Sequence, residues 1–193
     1  MSEQYINIDL PSKGLTYPGV DMTKIKIRPF LGKDEALIAE LTMDNAKKKF
    51  ITVLENVVQG IEPSKLTAGD AKYVMLWEAI NSYTDTRTQK IVCEDCLQPV
   101  EVNCSLKQVN VVELPDDFKE PYTVELSKQK LNLRLLTLKD EMEAIDWAKN
   151  GKSTYLFSYA STIVDPSLNI IQKLDLIENL STQDLKTIKD FHK

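Results

Sequence analysis

Gln89–Leu106 reads QKIVCEDCLQPVEVNCSL, and it holds all three cysteines of the 193-residue chain. How this stretch folds decides the class of the protein. Val100, Val102 and Cys104 alternate with Glu101 and Asn103, the period of two that gives a strand one apolar face. The CEDC turn lies between apolar strands, so the segment reads as a β-hairpin. Further on, YTVEL and LNLRLL flank the polar SKQK, which predicts a second hairpin and keeps residues 89–135 in strand character.

Outward from this centre the pattern turns helical on both sides. Asp34–Leu41 reads as a short helix, and Ala46–Gln59 as a longer one, with Phe50, Val53, Leu54 and Val57 on one stripe and Gly60 as its stop. A third helix begins at Thr67-x-x-Asp70, where a hydroxyl and a carboxylate satisfy free backbone N–H groups, and continues through Tyr73, Leu76, Trp77 and Ile80. From Thr137 onward everything reads helical. Leu138, Met142, Ile145 and Ala148 form one stripe ending at Gly151, and Leu156, Tyr159, Ala160 and Ile163 form another. Pro166 then breaks the chain before two short helices. LTAGD, LTLKD and LSTQD repeat one start signal, but the residues after each do not align, so they read as three independently capped helices, each with a leading leucine as a hydrophobic staple.

The first thirty residues read as strands and turns. Ile6, Ile8 and Leu10 alternate with Asn7 and Asp9; Ile25 and Ile27 alternate with Lys24, Lys26 and Arg28; LPSKGLTYPG between them demands turns. The expected fold is α+β: an N-terminal β-arm (1–32), a helical segment (33–84), central β-hairpins with a zinc-ribbon-like CxxC turn (85–136), and a C-terminal helical bundle (137–193). These make one compact domain or two lobes.

A formal charge of −5 and a pI near 5.1 oppose a nucleic-acid scaffold, which needs a basic surface. Lys47–Lys49 is the densest basic cluster and reads as a solvated helix face. The first residues, MSEQYINIDL, carry no apolar signal core, and no apolar run reaches the length of a membrane span. Three cysteines without an export signal predict free or metal-bound thiols in a reducing cytoplasm.

The cysteines allow three readings. Cys93 and Cys96 supply two ligands of a structural zinc site and Cys104 a third, with the fourth unknown: His192, Glu94, Asp95, Glu101 or a residue of another protein. Alternatively Cys104 is a small hydrophobe beside Val100 and Val102, and the CxxC turn carries no metal. Redox chemistry is disfavoured, because Glu94 and Asp95 would raise the thiol pKa and no helix follows to lower it. The cofactor expectation is therefore none, or one structural zinc.

A catalytic set is not legible. The lone histidine, His192, is penultimate, and the six glycines never form a phosphate loop. Asp116-Asp117 reads as exposed loop, and Glu141 and Glu143 cannot face each other on a helix. Trp77 and Trp147 lie on apolar stripes and read as core. The expectation is a protein without enzymatic activity or small-molecule substrate.

Three motifs in order carry a resemblance: Leu10, Pro11, Ser12, Gly14 and Tyr17 in the early loop; Leu66 and Asp70 at the third helix; Cys93 and Cys96, then Val102 and Leu106. Together they resemble the T4-type phage baseplate protein family, the baseplate hub subunits of contractile-tailed phages. The resemblance implies a tail structural or assembly protein, built in the host cytoplasm into the virion baseplate, whose partners are other tail and hub proteins, not nucleic acid or membrane. The alternatives are a tail assembly chaperone absent from the mature virion, or a zinc-ribbon regulator that binds nucleic acid. The N-terminal arm is the candidate docking element, adding a strand to a partner sheet. Ile6, Ile8 and Leu10 would fill pockets, the Lys13-Gly14 turn would set the angle, and Tyr17 would anchor. Pairing of the same arm with Ile25 and Ile27 within the chain is the competing reading.

Overall fold

The structure, a computed structural model, describes residues 4–42, 45–149, 151 and 153–192. Its order is β1 (Ile6–Asn7), β2 (Lys26–Ile27), α1 (Gly32–Ala39), α2 (Ala46–Val57), β3 (Val58–Gln59) and α3 (Ala68–Glu78), the last extended by a wider π-helical turn at Ala79–Tyr83. There follow β4 (Thr86–Val92), β5 (Pro99–Ser105), β6 (Tyr122–Glu125), β7 (Lys130–Leu133), α4 (Leu138–Ala148), α5 (Thr154–Thr162), α6 (Ile170–Glu178) and α7 (Thr182–Phe191). Strands are few and all antiparallel: β1-β2-β3, β4-β5 and β6-β7. The α+β class stands.

What the sequence reading missed is that the chain carries one unit twice. IRPFLGKDE (Ile27–Glu35) and LRLLTLKDE (Leu133–Glu141) fold in the same way around an arginine–aspartate ion pair, buried in the first and half-buried in the second. In the first unit the Arg28 guanidinium donates to Asp34 at 2.7 Å and to the Pro29 carbonyl at 2.9 Å. In the second, Arg134 donates to Asp140 at 2.6 Å and to the Leu135 carbonyl at 3.0 Å. Each aspartate also accepts the backbone N–H at its helix start, Leu31 or Thr137, at 2.8 Å, which caps α1 and α4. Arg28 N–H reaches the Val57 carbonyl and Arg134 N–H the Thr162 carbonyl, so each strand is closed by the chain leaving the second helix (Ile27 opposite Val58, Leu133 opposite Ile163).

The later LTAGD and LSTQD starts complete the two units. Asp70, on the helix capped by Thr67, accepts Ser12 N–H at 3.0 Å; Asp184, on the helix capped by Ser181, accepts Ser127 N–H at 2.8 Å. Each carboxylate thus fastens the loop between the two strands of its own unit. The three starts are not independent: LTLKD opens the first helix of a unit, the other two open the last. Alignment from one LT/LS signal to the next therefore fails, and the true match begins at the arginine.

Each unit has its own core. Ile8, Leu10, Tyr17, Ile25, Ile27, Leu54, Val57, Leu66 and Val74 pack in the first. Val124, Leu131, Leu133, Phe157, Ala160, Leu174, Ile177 and Ile188 pack in the second. The segment read as an N-terminal β-arm contributes Ile8, Leu10, Tyr17, Ile25 and Ile27 to the first core. α4 is the shared wall, since its Leu138 and Met142 belong to the first core and Ala144 to the second. A bridge at Thr67–Thr137 joins the units, with Ala68 N–H to the Leu136 carbonyl at 2.7 Å and Leu138 N–H to the Leu66 carbonyl at 2.8 Å. Gly60 is fixed by geometry: its φ is +89°, and a Cβ there would stand 2.3 Å from the Lys24 carbonyl oxygen.

Candidate functional site

The hairpin β4-β5 interrupts the duplicated plan. It is inserted between the units, pairs over seven residues per strand from Thr86–Ser105 to Val92–Pro99, and places none of its side chains in either core. Ile91, Val92, Leu97 and Val100 are exposed by 49%, 63%, 74% and 43%. Solvent-exposed strands with apolar side chains and two free edges are a binding surface or an aggregation hazard. At its foot lies an apolar groove of about 800 Å³ lined by Phe30, Ile38, Phe50, Met75 and Tyr83 together with Thr86.

The register separates the cysteines. Cys104 faces Arg87 near the foot, while Cys93 and Cys96 sit in the turn. Five residue pairs at about 3.4 Å each put roughly 17 Å of strand between them, whereas zinc holds its sulfurs at about 2.3 Å. Cys104 is therefore not a co-ligand of the CxxC pair within one chain. His192 does fold back, but onto the second core: its Nε2 lies 3.3 Å from Thr162 Oγ1 and its ring stacks on Tyr159. Burial, with Arg134 nearby, lowers its pKa to about 4. Among the described residues no three or more His, Cys, Asp or Glu side chains converge.

The residues named for docking follow the competing reading, in which the arm pairs within the chain. Ile6 pairs with Ile27 and keeps its side chain 44% exposed. Ile8, Leu10 and Tyr17 are buried in the chain's own core, so they cannot fill a partner's pockets without opening it. The loop that follows is held from two sides. Tyr17 Oη donates to Asp70 at 2.5 Å and accepts Thr67 N–H at 2.7 Å, while Leu114 N–H reaches the Pro11 carbonyl at 3.0 Å. Burial and then the Asp70 charge push the Tyr17 pKa well up. Lys13 and Gly14 form its left-handed tip, with Lys13 paired to Asp116 and Glu113. Leu10, Ser12, Tyr17, Leu66 and Asp70, which lie in separate motifs of the sequence, meet here as one latch.

The cleft between the units, about 790 Å³, is lined by Lys65, Arg134, Lys139, Asp140, Glu143 and Lys173 among others. Its ionic groups are engaged structurally: Arg134 with Asp140, Lys173 with the Ile163 carbonyl and Lys65 with Glu62. Trp77 and Trp147 pack against the first and second cores, as the sequence reading expected. No helix among the described residues is long and apolar enough to cross a membrane.

The family model described as T4 bacteriophage base plate protein matches residues 2–193, essentially the whole chain. The chain belongs to that family. The match extends through the second unit, where the sequence resemblance, carried by motifs in the first 110 or so residues, had no marker. No curated protein and no solved structure matches the chain. Membership makes it a phage baseplate protein whose partners are other baseplate and tail proteins.

Proposed function

We propose that the chain is a structural subunit of the baseplate hub, assembled in the host cytoplasm, that works by protein–protein contact and transforms no substrate. One observation carries this reading: the β4-β5 hairpin presents exposed apolar side chains and two open strand edges that serve neither core. A single two-stranded ribbon is marginal by itself in water, and its apolar surface gains stability only when covered. Backbone hydrogen bonds to a partner strand along β4 or β5 supply affinity, and side-chain pockets for Ile91 and Val100 supply specificity. An apolar groove lies at its foot. The duplicated units behind it, joined through α4 and the Thr67–Thr137 bridge, carry the ribbon.

The test uses a chain in which residues 86–105 are replaced by a short turn. It is expected to keep both cores and unfold with an unchanged midpoint, while failing to enter baseplates. Mass spectrometry of purified phage particles made with the intact chain should find it at fixed copy number. Its absence from mature particles would refute a lasting structural role, and normal assembly with the shortened chain would refute the hairpin as the contact.

A further inference from the structure

The two edges of the β4-β5 ribbon are not equivalent. Leu106 N–H reaches the Asp85 carbonyl and Cys93 N–H the Gln98 carbonyl, which fixes the phase of the ladder. In an antiparallel pair, residues that exchange hydrogen bonds alternate with residues that turn their backbone groups outward. Arg87, Gln89 and Ile91 therefore bond to β5, while Thr88, Lys90 and Val92 turn their N–H and C=O groups to the open edge of β4. Their opposite residues Asn103, Glu101 and Pro99 turn theirs to the open edge of β5. On the β4 edge, Thr86 N–H is taken by the Thr84 hydroxyl at 3.2 Å. Among the described residues nothing takes the N–H groups of Thr88, Lys90 and Val92. Pro99 has no N–H, so the β5 edge is interrupted near the turn.

Position and charge separate the edges further. Thr86, Arg87 and Thr88 line the apolar groove with Phe50, Met75 and Leu76, and no residue of β5 lines it. β4 is also the cationic strand. Among the described residues Arg87 has no ion-pair partner, and Lys90 has the exposed Glu101 at 3.4 Å, a contact worth little in water. Two copies joined edge to edge through β4 would crowd Arg87 and Lys90 of both along one seam, which like charges oppose. The edge is thus open to a strand, and its charge selects a different chain that carries carboxylates.

We propose that β4, and not β5, receives an extended strand of another baseplate protein, with a carboxylate beside Arg87, an apolar side chain beside Ile91 and an apolar side chain in the groove past Thr86. Arg87 and Ile91 lie four residues apart on one face of β4, so the first two residues of the partner strand are four apart as well. Backbone hydrogen bonds to Thr88, Lys90 and Val92 hold the strand, and the carboxylate and the groove select it. The inference rests on the reading of the hairpin as the contact surface; it decides the edge and the chemistry that edge recognises.

Thr88 and Asn103 make a matched pair for the test. They face each other across the ribbon and share one side-chain hydrogen bond, at 2.7 Å. A proline at either position loses that same bond but removes an outward N–H from one edge only. Full-length chains carrying Thr88→Pro or Asn103→Pro are supplied during phage production, and their copies per purified particle are counted by mass spectrometry, with circular dichroism checking that both fold. Thr88→Pro should lower incorporation about tenfold or more, and Asn103→Pro should leave it near the level of the intact chain. Arg87→Glu should also lower it, and Arg87→Lys should restore it. A photo-cross-linking side chain placed at position 88 should join, in assembled particles, a segment of another baseplate protein with an acidic and an apolar residue four apart. Equal incorporation of the two proline variants, a greater loss from Asn103→Pro, or a cross-link to a second copy of this chain would overturn the assignment to β4, even where replacing residues 86–105 still abolishes assembly. Normal assembly without the hairpin would overturn the underlying reading and the inference together.

Discussion

Removing the carboxylate of Asp34 should be among the most damaging single changes in this protein. Arg28 is 1% exposed and Asp34 fully buried. Burial alone would raise the Asp34 pKa, but hydrogen bonds from Arg28 and Leu31 N–H outweigh it and hold the carboxyl below its ordinary value. Asp34→Ala leaves a buried guanidinium without its counter-ion, which costs about 3–5 kcal/mol, and it also removes the cap of α1, worth roughly 1 kcal/mol. A domain of this kind has only about 5–15 kcal/mol in total. Asp140→Ala makes the same deletion in the second unit, but the Arg134 side chain is 32% exposed and water can solvate it. Its cost should be about 1–2 kcal/mol lower, since exposed ion pairs contribute little. Urea unfolding at pH 7 is the assay, because guanidinium salts would screen the charges; Trp77 and Trp147 report on the two cores by fluorescence. A loss below about 1 kcal/mol for Asp34→Ala, or a larger loss for Asp140→Ala, would refute the account of the paired units.

Glu78 supplies a pH dependence of opposite sign to these aspartates. Burial raises its pKa from 4.5 to about 7, and its Oε1 has no hydrogen-bond partner. The folded state therefore holds the proton more tightly than the unfolded one. Stability from this group is full below pH 4.5 and is lost as pH rises through about 7, a difference of about 3 kcal/mol at the alkaline limit. Glu78→Gln should stabilise the protein at pH 8 and not at pH 4.5, read as urea midpoints at the two pH values; equal effects at both would contradict the assignment. Tyr17→Phe strands the Thr67 N–H and one Asp70 oxygen inside the latch and should cost about 1–3 kcal/mol, measured by thermal unfolding. Gly60→Ala, which sets a Cβ against the Lys24 carbonyl at a positive φ, should cost more than 1 kcal/mol. Deleting residues 4–20 should unfold the first core, seen as loss of the Trp77 signal, whereas a separable docking arm would leave that signal intact.

Much of the secondary structure was legible because it rests on local physics. The stripe Phe50-Val53-Leu54-Val57, the Thr67-x-x-Asp70 cap and the alternation through Val100 and Val102 each act within a few residues. The latch and the duplication were not, because their partners are distant: Ser12 meets Asp70 and Ser127 meets Asp184. The repeated signal in the chain is an arginine–aspartate pair six residues apart, embedded in apolar sequence where hydrophobic periodicity does not look for it. Comparing the residues around Arg28 and Arg134 would have revealed it.

By itself the sequence determined most of the elements and pointed to the baseplate family, since periodicity, capping and motif order need no third dimension. Only the tertiary structure decided which apolar residues are spent inside and which are left outside. It buried Ile8, Leu10 and Tyr17, stranded Cys104 away from Cys93 and Cys96, and left the hairpin bare. The physical reason is that burial and ligand geometry depend on what the rest of the chain brings alongside, and a strand's register, not its composition, sets those distances.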